Sequence, residues 1–327
     1  MTGQIDDNMD QYYRSNPSHY DTGLMRIGCT ETQARAYAAY FRRNLRWYYY
    51  RKIICVYELL LSRFNRRIRI LDVGCGLGED IHALNRLIPS ADFVGVEISP
   101  SAVEICKKNK LDNMEFLCGT LSTLNLSQET FDLILSFTVL EHVASPREEL
   151  ENYFKLLKKD GILVLAVPND RYWWSWEGPN YVLLKLLGKP VHTHSVKKRV
   201  LYDIFDKLGL FVLDYDVVGF RPPQSFFCHI PENLLGSVIS HFEKIGQAWQ
   251  RTFLRSLLYL EIYICLKRPL DEQNFSGLAY SNSNPSPLWI VSALPYFVIW
   301  WNASAVALVR RVFKKLQGYI YGQRSKN

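Results

Sequence analysis

The residues of this 327-residue chain best suited to chemistry lie in one run, Ile70-Leu71-Asp72-Val73-Gly74-Cys75-Gly76-Leu77-Gly78, an apolar segment that ends in an acid and three alternating glycines. Glycine carries no Cβ, so such a segment can turn tightly and bring its backbone N–H groups against a ligand at the start of a following helix. The next apolar run, FVGVEI, ends with Glu97, 19 residues after Gly78, where a carboxylate can accept hydrogen bonds from the two hydroxyls of a ribose. Asp72 closes the first run at the same crevice and would repel a pyrophosphate. The pattern suits a cationic, ribose-bearing ligand rather than NAD.

Histidine is the side chain whose ordinary pKa allows proton transfer near neutral pH. His192 and His194, in GKPVHTHSVKKR, follow an aromatic stretch, Arg171-Tyr172-Trp173-Trp174-Ser175-Trp176. They are the candidate bases, with surface histidines in a basic turn as the other reading. His142, in VLEHV, and His82 read as structural. Three tryptophans within four residues suit a lid over an apolar acceptor or contact with a lipid interface, the alternative being packing against the N-terminal helix. Phe220-Arg221-Pro222-Pro223 falls on the same rim and offers an anion-binding arginine.

The elements that must position these residues follow from periodicity. Short β-branched runs at 67–73, 92–98, 113–118, 131–137 and 161–167 alternate with helix-like segments starting near Leu77, Pro100 and Pro146. That alternation predicts a parallel sheet with helices on both faces, a doubly wound, Rossmann-like α/β domain. A helix over 197–208, a strand over 210–218, a helix over 232–250 and a strand over 257–266 complete it. Upstream, Glu31 to Phe64 contains neither Pro nor Gly and reads as one long helix, with Tyr37, Phe41, Leu45, Tyr48, Val56 and Leu59 on one face and Arg35, Arg42 and Arg46 opposite. Lys52 interrupts the apolar stripe. The organisation expected is an N-terminal segment with a basic amphipathic helix (1–66), an α/β domain (67–269), a linker rich in Ser, Asn and Pro (270–287) and an apolar, then basic, tail (288–327).

The ordered set DVGCGLG, VGVEIS, FDLILSFTVLEHV and KKDGILVLAVPN resembles the motifs of class I S-adenosylmethionine-dependent methyltransferases. The FDL…VLEHV form is similar to the branch of small-molecule and lipid enzymes that includes ubiquinone-biosynthesis O-methyltransferases. The resemblance implies a seven-stranded sheet whose last strand is antiparallel, and S-adenosylmethionine as cofactor. Residue by residue, it implies that Asp72, Gly74, Cys75, Gly76 and Gly78 shape the methionine and ribose site. Glu97 and Ile98 would hold the ribose, Gly119 and Thr120 would border the adenine, and Phe137 and Thr138 would face the methionine part. After the third strand the family often has an acid that contacts the adenine amino group; here Cys118-Gly119-Thr120 stands there, and the Thr120 hydroxyl or the backbone would have to accept that bond.

Composition bounds the rest. Forty-eight per cent hydrophobic and 22% charged residues exclude a disordered or fibrous chain. Seven cysteines without a CxxC pair or a Cys/His cluster argue against a disulfide framework and a metal site, and the polar N-terminus does not resemble a secretory signal, so reduced thiols and a cytoplasmic location are expected. The net charge of +7 divides into +8 over Glu31–Arg69, +6 over Pro285–Asn327 and −7 elsewhere. Two basic flanks around an acidic middle suit an anionic surface better than a nucleic-acid groove. Leu288–Val309 is uncharged for 22 residues, close to the ~20 that cross a bilayer, and four basic residues follow it. With Pro295 inside that segment, in-plane membrane contact through 288–315, helped by the basic helix 31–64, is the expectation, with a helix buried against the domain as the alternative. The function expected is methyl transfer to a small or lipid-linked acceptor, at oxygen; the alternatives are an RNA or protein methyltransferase and a catalytically silent binding module of the same fold.

Overall fold

The computed structural model describes residues 29–41, 46–169, 196–219, 228–250, 258 and 260–267. Helices α1 (Glu31–Phe41) and α2 (Trp47–Phe64) precede a sheet whose strands are β1 (Arg69–Val73), β2 (Asp92–Glu97), β3 (Met114–Cys118), β4 (Phe131–Phe137), β5 (Leu157–Pro168), β6 (Phe211–Val218) and β7 (Leu260–Leu266). Helices α3 (Glu79–Leu87), α4 (Pro100–Lys108), α5 (Pro146–Leu156), α6 (Lys198–Leu208) and α7 (Leu235–Gln250) lie between them. The spatial order is β3-β2-β1-β4-β5-β7-β6. β1 to β5 pair in parallel, and β7 runs antiparallel to both β5 and β6. This is the seven-stranded sheet with an antiparallel last strand that the family resemblance implies.

Period-two alternation divides the strand residues between two buried layers. Ile70, Leu133, Leu135, Ile162 and Val164 join α2, α3 and α4 on one face. Leu71, Val73, Ile134, Leu163 and Leu165 join α5 and α6 on the other. Burial of both faces is what makes each run apolar throughout. A smaller cluster packs α1 against α7 through Tyr37, Tyr40, Phe242, Ile245 and Trp249.

Two expectations are corrected. Glu31 to Phe64 is helical over Glu31–Phe41 and Trp47–Phe64, and 42–45, where the two stretches would join, lie outside the described residues. Its Lys52 does not interrupt a packing face idly: it is buried and ion-paired with Asp214 and, at 3.6 Å, with Asp216 of β6. The thiols are not all reduced, because Cys29 and Cys228 form a disulfide across 199 residues of sequence. Spacing rules detect local pairs, and this one is brought together by the packing of α1 near the start of α7. The linker 270–287 and the tail 288–327 lie outside the described residues, and among the described residues no helix is long and apolar enough to cross a membrane.

Candidate functional site

The site forms where the strand order reverses, between β1 with its neighbour β2 on one side and β4 on the other, the place where open α/β sheets leave a crevice beyond their carboxyl ends. The turn leaving β1 is held by two bonds to one carbonyl: Gly74 N–H and Cys75 N–H donate to Val96 O at 2.8 and 3.1 Å. Gly74, Gly76 and Gly78 have φ of 71°, 54° and 72°, the left-handed region that favours glycine. At Gly74 the need is doubly enforced, since a Cβ there would lie 2.6 Å from Val139 Cγ2 in the turn after β4.

Glu97, at the end of β2, is 5% exposed. Its carboxylate accepts hydrogen bonds from Gly76 N–H at 3.0 Å, Ile98 N–H at 2.9 Å and Ser99 N–H at 3.1 Å. Burial raises its pKa, and these three donors pull it back. Gly119 N–H donates to the Glu97 carbonyl at 2.9 Å, so the segment after β3 is locked beside it. There Thr120 sits in a hydroxyl cluster, its Oγ1 2.8 Å from Ser122 Oγ and 3.2 Å from Thr123 Oγ1. Asp72, almost wholly buried at the end of β1, is held well above the usual carboxylate range by burial first and then by the nearby charges of Asp80 and Glu97.

Across the crevice, Phe137 ends β4 and stacks on Tyr49 of α2, ring centres 4.3 Å apart. Thr138 has φ 56°, and its N–H donates to Ala166 O at 2.9 Å. Glu141, in the same turn, is 3% exposed, and burial pushes its carboxyl up to about 8. His142 Nε2 lies 4.0 Å from Glu141 Oε1, and with a side chain 55% exposed it is not the packed residue expected from sequence. His82 faces Phe116 with ring centres 6.4 Å apart, as a structural residue would.

Sequence reasoning missed the contribution of α2. Arg46, expected on the solvent face, lies half-buried against the first turn of α3, with Nη1 2.8 Å from Glu79 Oε2 and Nε 3.0 Å from Asp80 Oδ1. Burial opposes its charge, but Asp80 foremost and Glu79 as well outweigh that, so the guanidinium stays ionised. Tyr50 Oη donates to Asp80. The missed signal was the acid pair Glu79-Asp80 directly after the glycine turn, which calls for a cation from outside the motif. His192, His194, the 171–176 aromatic stretch and the 220–223 rim lie outside the described residues.

The arrangement therefore brings Asp72, Gly74, Cys75, Gly76, Gly78, Glu97, Ile98, Gly119, Thr120, Phe137 and Thr138 to one crevice. Its electrostatics fit one kind of ligand. Two buried carboxyls, Asp72 and Glu97, and the half-buried Asp80 are pushed toward protonation around a glycine cradle that a Cβ would fill, and Arg46 counters only part of their charge. A ligand with a sulfonium and an ammonium supplies the missing positive charge, and its ribose meets a carboxylate, so the residues present fit S-adenosylmethionine.

Comparison with known proteins agrees with this fit. A family model described as a methyltransferase domain matches residues 64–198. The ubiquinone biosynthesis O-methyltransferase of Bartonella tribocorum is 30% identical over 191 residues, covering 52% of this chain and 75% of that protein. The enzyme of the same name from Pelagibacter ubique is 32% identical over 167 residues, covering 48% and 67%. A malonyl-[acyl-carrier protein] O-methyltransferase of Bacillus anthracis is 32% identical over 114 residues, 33% of this chain and 42% of that protein. The chain belongs to the class I S-adenosylmethionine-dependent methyltransferases. It is an enzyme of that class, with S-adenosylmethionine as its cofactor.

Proposed function

We propose that this methyltransferase methylates a hydroxyl oxygen of a small or lipid-linked acceptor. The observation that carries the reading is the alignment with two ubiquinone biosynthesis O-methyltransferases over two thirds or more of their length, at 30% and 32% identity. Bound S-adenosylmethionine supplies an electrophilic methyl group on its sulfonium, which leaves the protein mainly the work of placement. In this reading Glu97 accepts from the ribose hydroxyls, Asp72 faces the ammonium group, Arg46 faces the carboxylate, and Gly119 and Thr120 border the adenine. Phe137, Thr138 and the Tyr49 ring exclude water on the β4 side.

A hydroxyl acceptor benefits from a base near neutral pKa. His194, with His192, is assigned that role on its sequence position after the aromatic stretch. His142 is the second candidate, favoured by its place beside buried Glu141 in the turn that abuts Gly74. A lipid-linked acceptor also accounts for the two basic flanks and the apolar segment, as a contact with an anionic membrane surface through 288–315 and the basic helices of 31–64.

The test is incubation of the full chain with methyl-labelled S-adenosylmethionine and a fractionated cell extract. Label in the lipid or small-molecule fraction, stable to conditions that hydrolyse esters, supports an ether-forming O-methyltransferase. Label confined to RNA or protein overturns the reading, and so does cofactor binding without transfer to the lipid or small-molecule fraction.

A further inference from the structure

Cys75 and Cys106 are free thiols on either side of the cofactor turn, one inside the glycine run and the other on α4. Both sulfurs converge on a single carbonyl: Cys106 Sγ lies 3.4 Å from Gly76 O and Cys75 Sγ 4.0 Å from it. Both lie near the Phe116 ring. A Cβ at Gly95 would lie 2.8 Å from Cys75 Sγ, one at Gly78 would lie 3.2 Å from Cys106 Sγ, and both would touch the Phe116 ring. Cys75 is 8% exposed and Cys106 fully buried, so the turn itself shields the pair.

From this juxtaposition we propose that Cys75 and Cys106 are a modification site, a dithiol that peroxide oxidises to a disulfide and that thereby shuts the cofactor crevice. The inference rests on the cofactor reading of the Asp72–Gly78 turn. A hydrogen bond from the Cys75 thiol lowers the pKa of Cys106 and, with burial, raises that of Cys75, so when opening of the turn in the absence of cofactor admits peroxide, Cys106 is the thiol that reacts first. The Cys106 thiolate attacks hydrogen peroxide, forming an S–O bond as the O–O bond breaks, and the released hydroxide takes a proton and leaves as water. The Cys75 sulfur then attacks the sulfenic sulfur, forming the S–S bond and expelling the oxygen as a second water. The two thiols are oxidised by two electrons and one peroxide is reduced to two waters.

A bond of about 2.05 Å requires the turn to shift toward α4. Gly76 cannot follow freely, because its N–H is tied to Glu97 Oε2 at 3.0 Å and its φ is 54°. Closing the disulfide therefore displaces the backbone donors and the carboxylate that form the ribose side of the crevice. The reverse coupling also holds: bound cofactor pins the turn over Cys106 and slows its oxidation.

The test treats the full chain, first reduced and then exposed to hydrogen peroxide, and reads two quantities: S-adenosylhomocysteine affinity by calorimetry and cysteine connectivity by peptide mass mapping. Expected are a Cys75–Cys106 linked peptide, an affinity loss of tenfold or more that dithiothreitol reverses, and slower linkage in saturating S-adenosylhomocysteine. Cys106→Ser and Cys106→Ala, two variants in case one does not fold, should retain affinity after peroxide. The switch is overturned by affinity loss without the linked peptide, by linkage without affinity loss, or by equal sensitivity of the Cys106 variants. Reduced protein that is still folded by circular dichroism and binds no S-adenosylhomocysteine overturns the cofactor reading and the switch together, whereas normal binding with no linked peptide overturns the switch alone.

Discussion

At the scale of single residues, the crevice depends on groups held in conformations that few substitutes tolerate. Glu97 accepts three backbone N–H bonds and, in the proposed reading, the ribose hydroxyls as well. Glu97→Ala should weaken S-adenosylhomocysteine binding by roughly 1.5 to 3 kcal/mol, the worth of hydrogen bonds to a charged group, as read by titration calorimetry. Glu141 makes a different kind of statement. Its folded-state pKa of about 8 lies above the ordinary glutamate value, so between the two the folded protein holds a proton that the unfolded chain releases, and stability falls as pH rises through that interval. Glu141→Gln should remove this slope: melting temperatures of variant and wild type should lie close together at pH 5, with the variant several degrees higher at pH 8. Asp72, the glycines and Glu97 were legible in the sequence because strand, turn and strand end follow one another locally. Arg46 was not, because its partners Glu79 and Asp80 belong to another helix and a helical projection of 31–64 contains no trace of them.

At the scale of elements, the local signals that worked were those with a local cause. The starts of α4 and α5 were readable because Pro100 and Pro146 occupy the first helical turn and Ser99 and Ser145 cap it, each accepting a backbone N–H at 3.3 Å. The start of β5 at Leu157, four residues ahead of the apolar run, was not, since Leu157 is placed by pairing with Phe131 and its carbonyl accepts from the Lys267 ammonium. Lys52 shows the same limit in reverse. It looked like a flaw in an amphipathic stripe and is the tie that fastens α2 to β6. Removing one partner of a buried ion pair leaves the other uncompensated, so Lys52→Ala should destabilise the fold by about 3 kcal/mol, measurable as a lower urea midpoint.

At the scale of the whole molecule, the Cys29–Cys228 disulfide and the tail set two further expectations. The disulfide closes a loop of 199 residues, and Cys29→Ser should lower unfolding free energy by roughly 2 to 4 kcal/mol in denaturant titrations under non-reducing conditions. Gln33 keeps its bond to Ile230 O at 2.9 Å in that variant, so α1 should stay docked. If the proposed membrane contact holds, the full chain should sediment with anionic vesicles and deletion of 288–327 should abolish this while leaving S-adenosylhomocysteine affinity unchanged; a full chain that does not sediment overturns the contact.

The place of β7 in the sheet bears on how the protein is made. β7 is the last of the described strands in sequence, yet it lies between β5 and β6, and the described chain has no other strand for β6 to pair with. While a ribosome is still synthesising residues before 260, the β5 edge, which carries Leu163, Val164 and Leu165, has no partner on that side, and β6 has none at all. An unpaired apolar edge of that kind recruits other chains. The nascent protein is thus exposed to aggregation for the time it takes to translate about a hundred residues, and its sheet closes in one late step when β7 emerges and pairs on both sides.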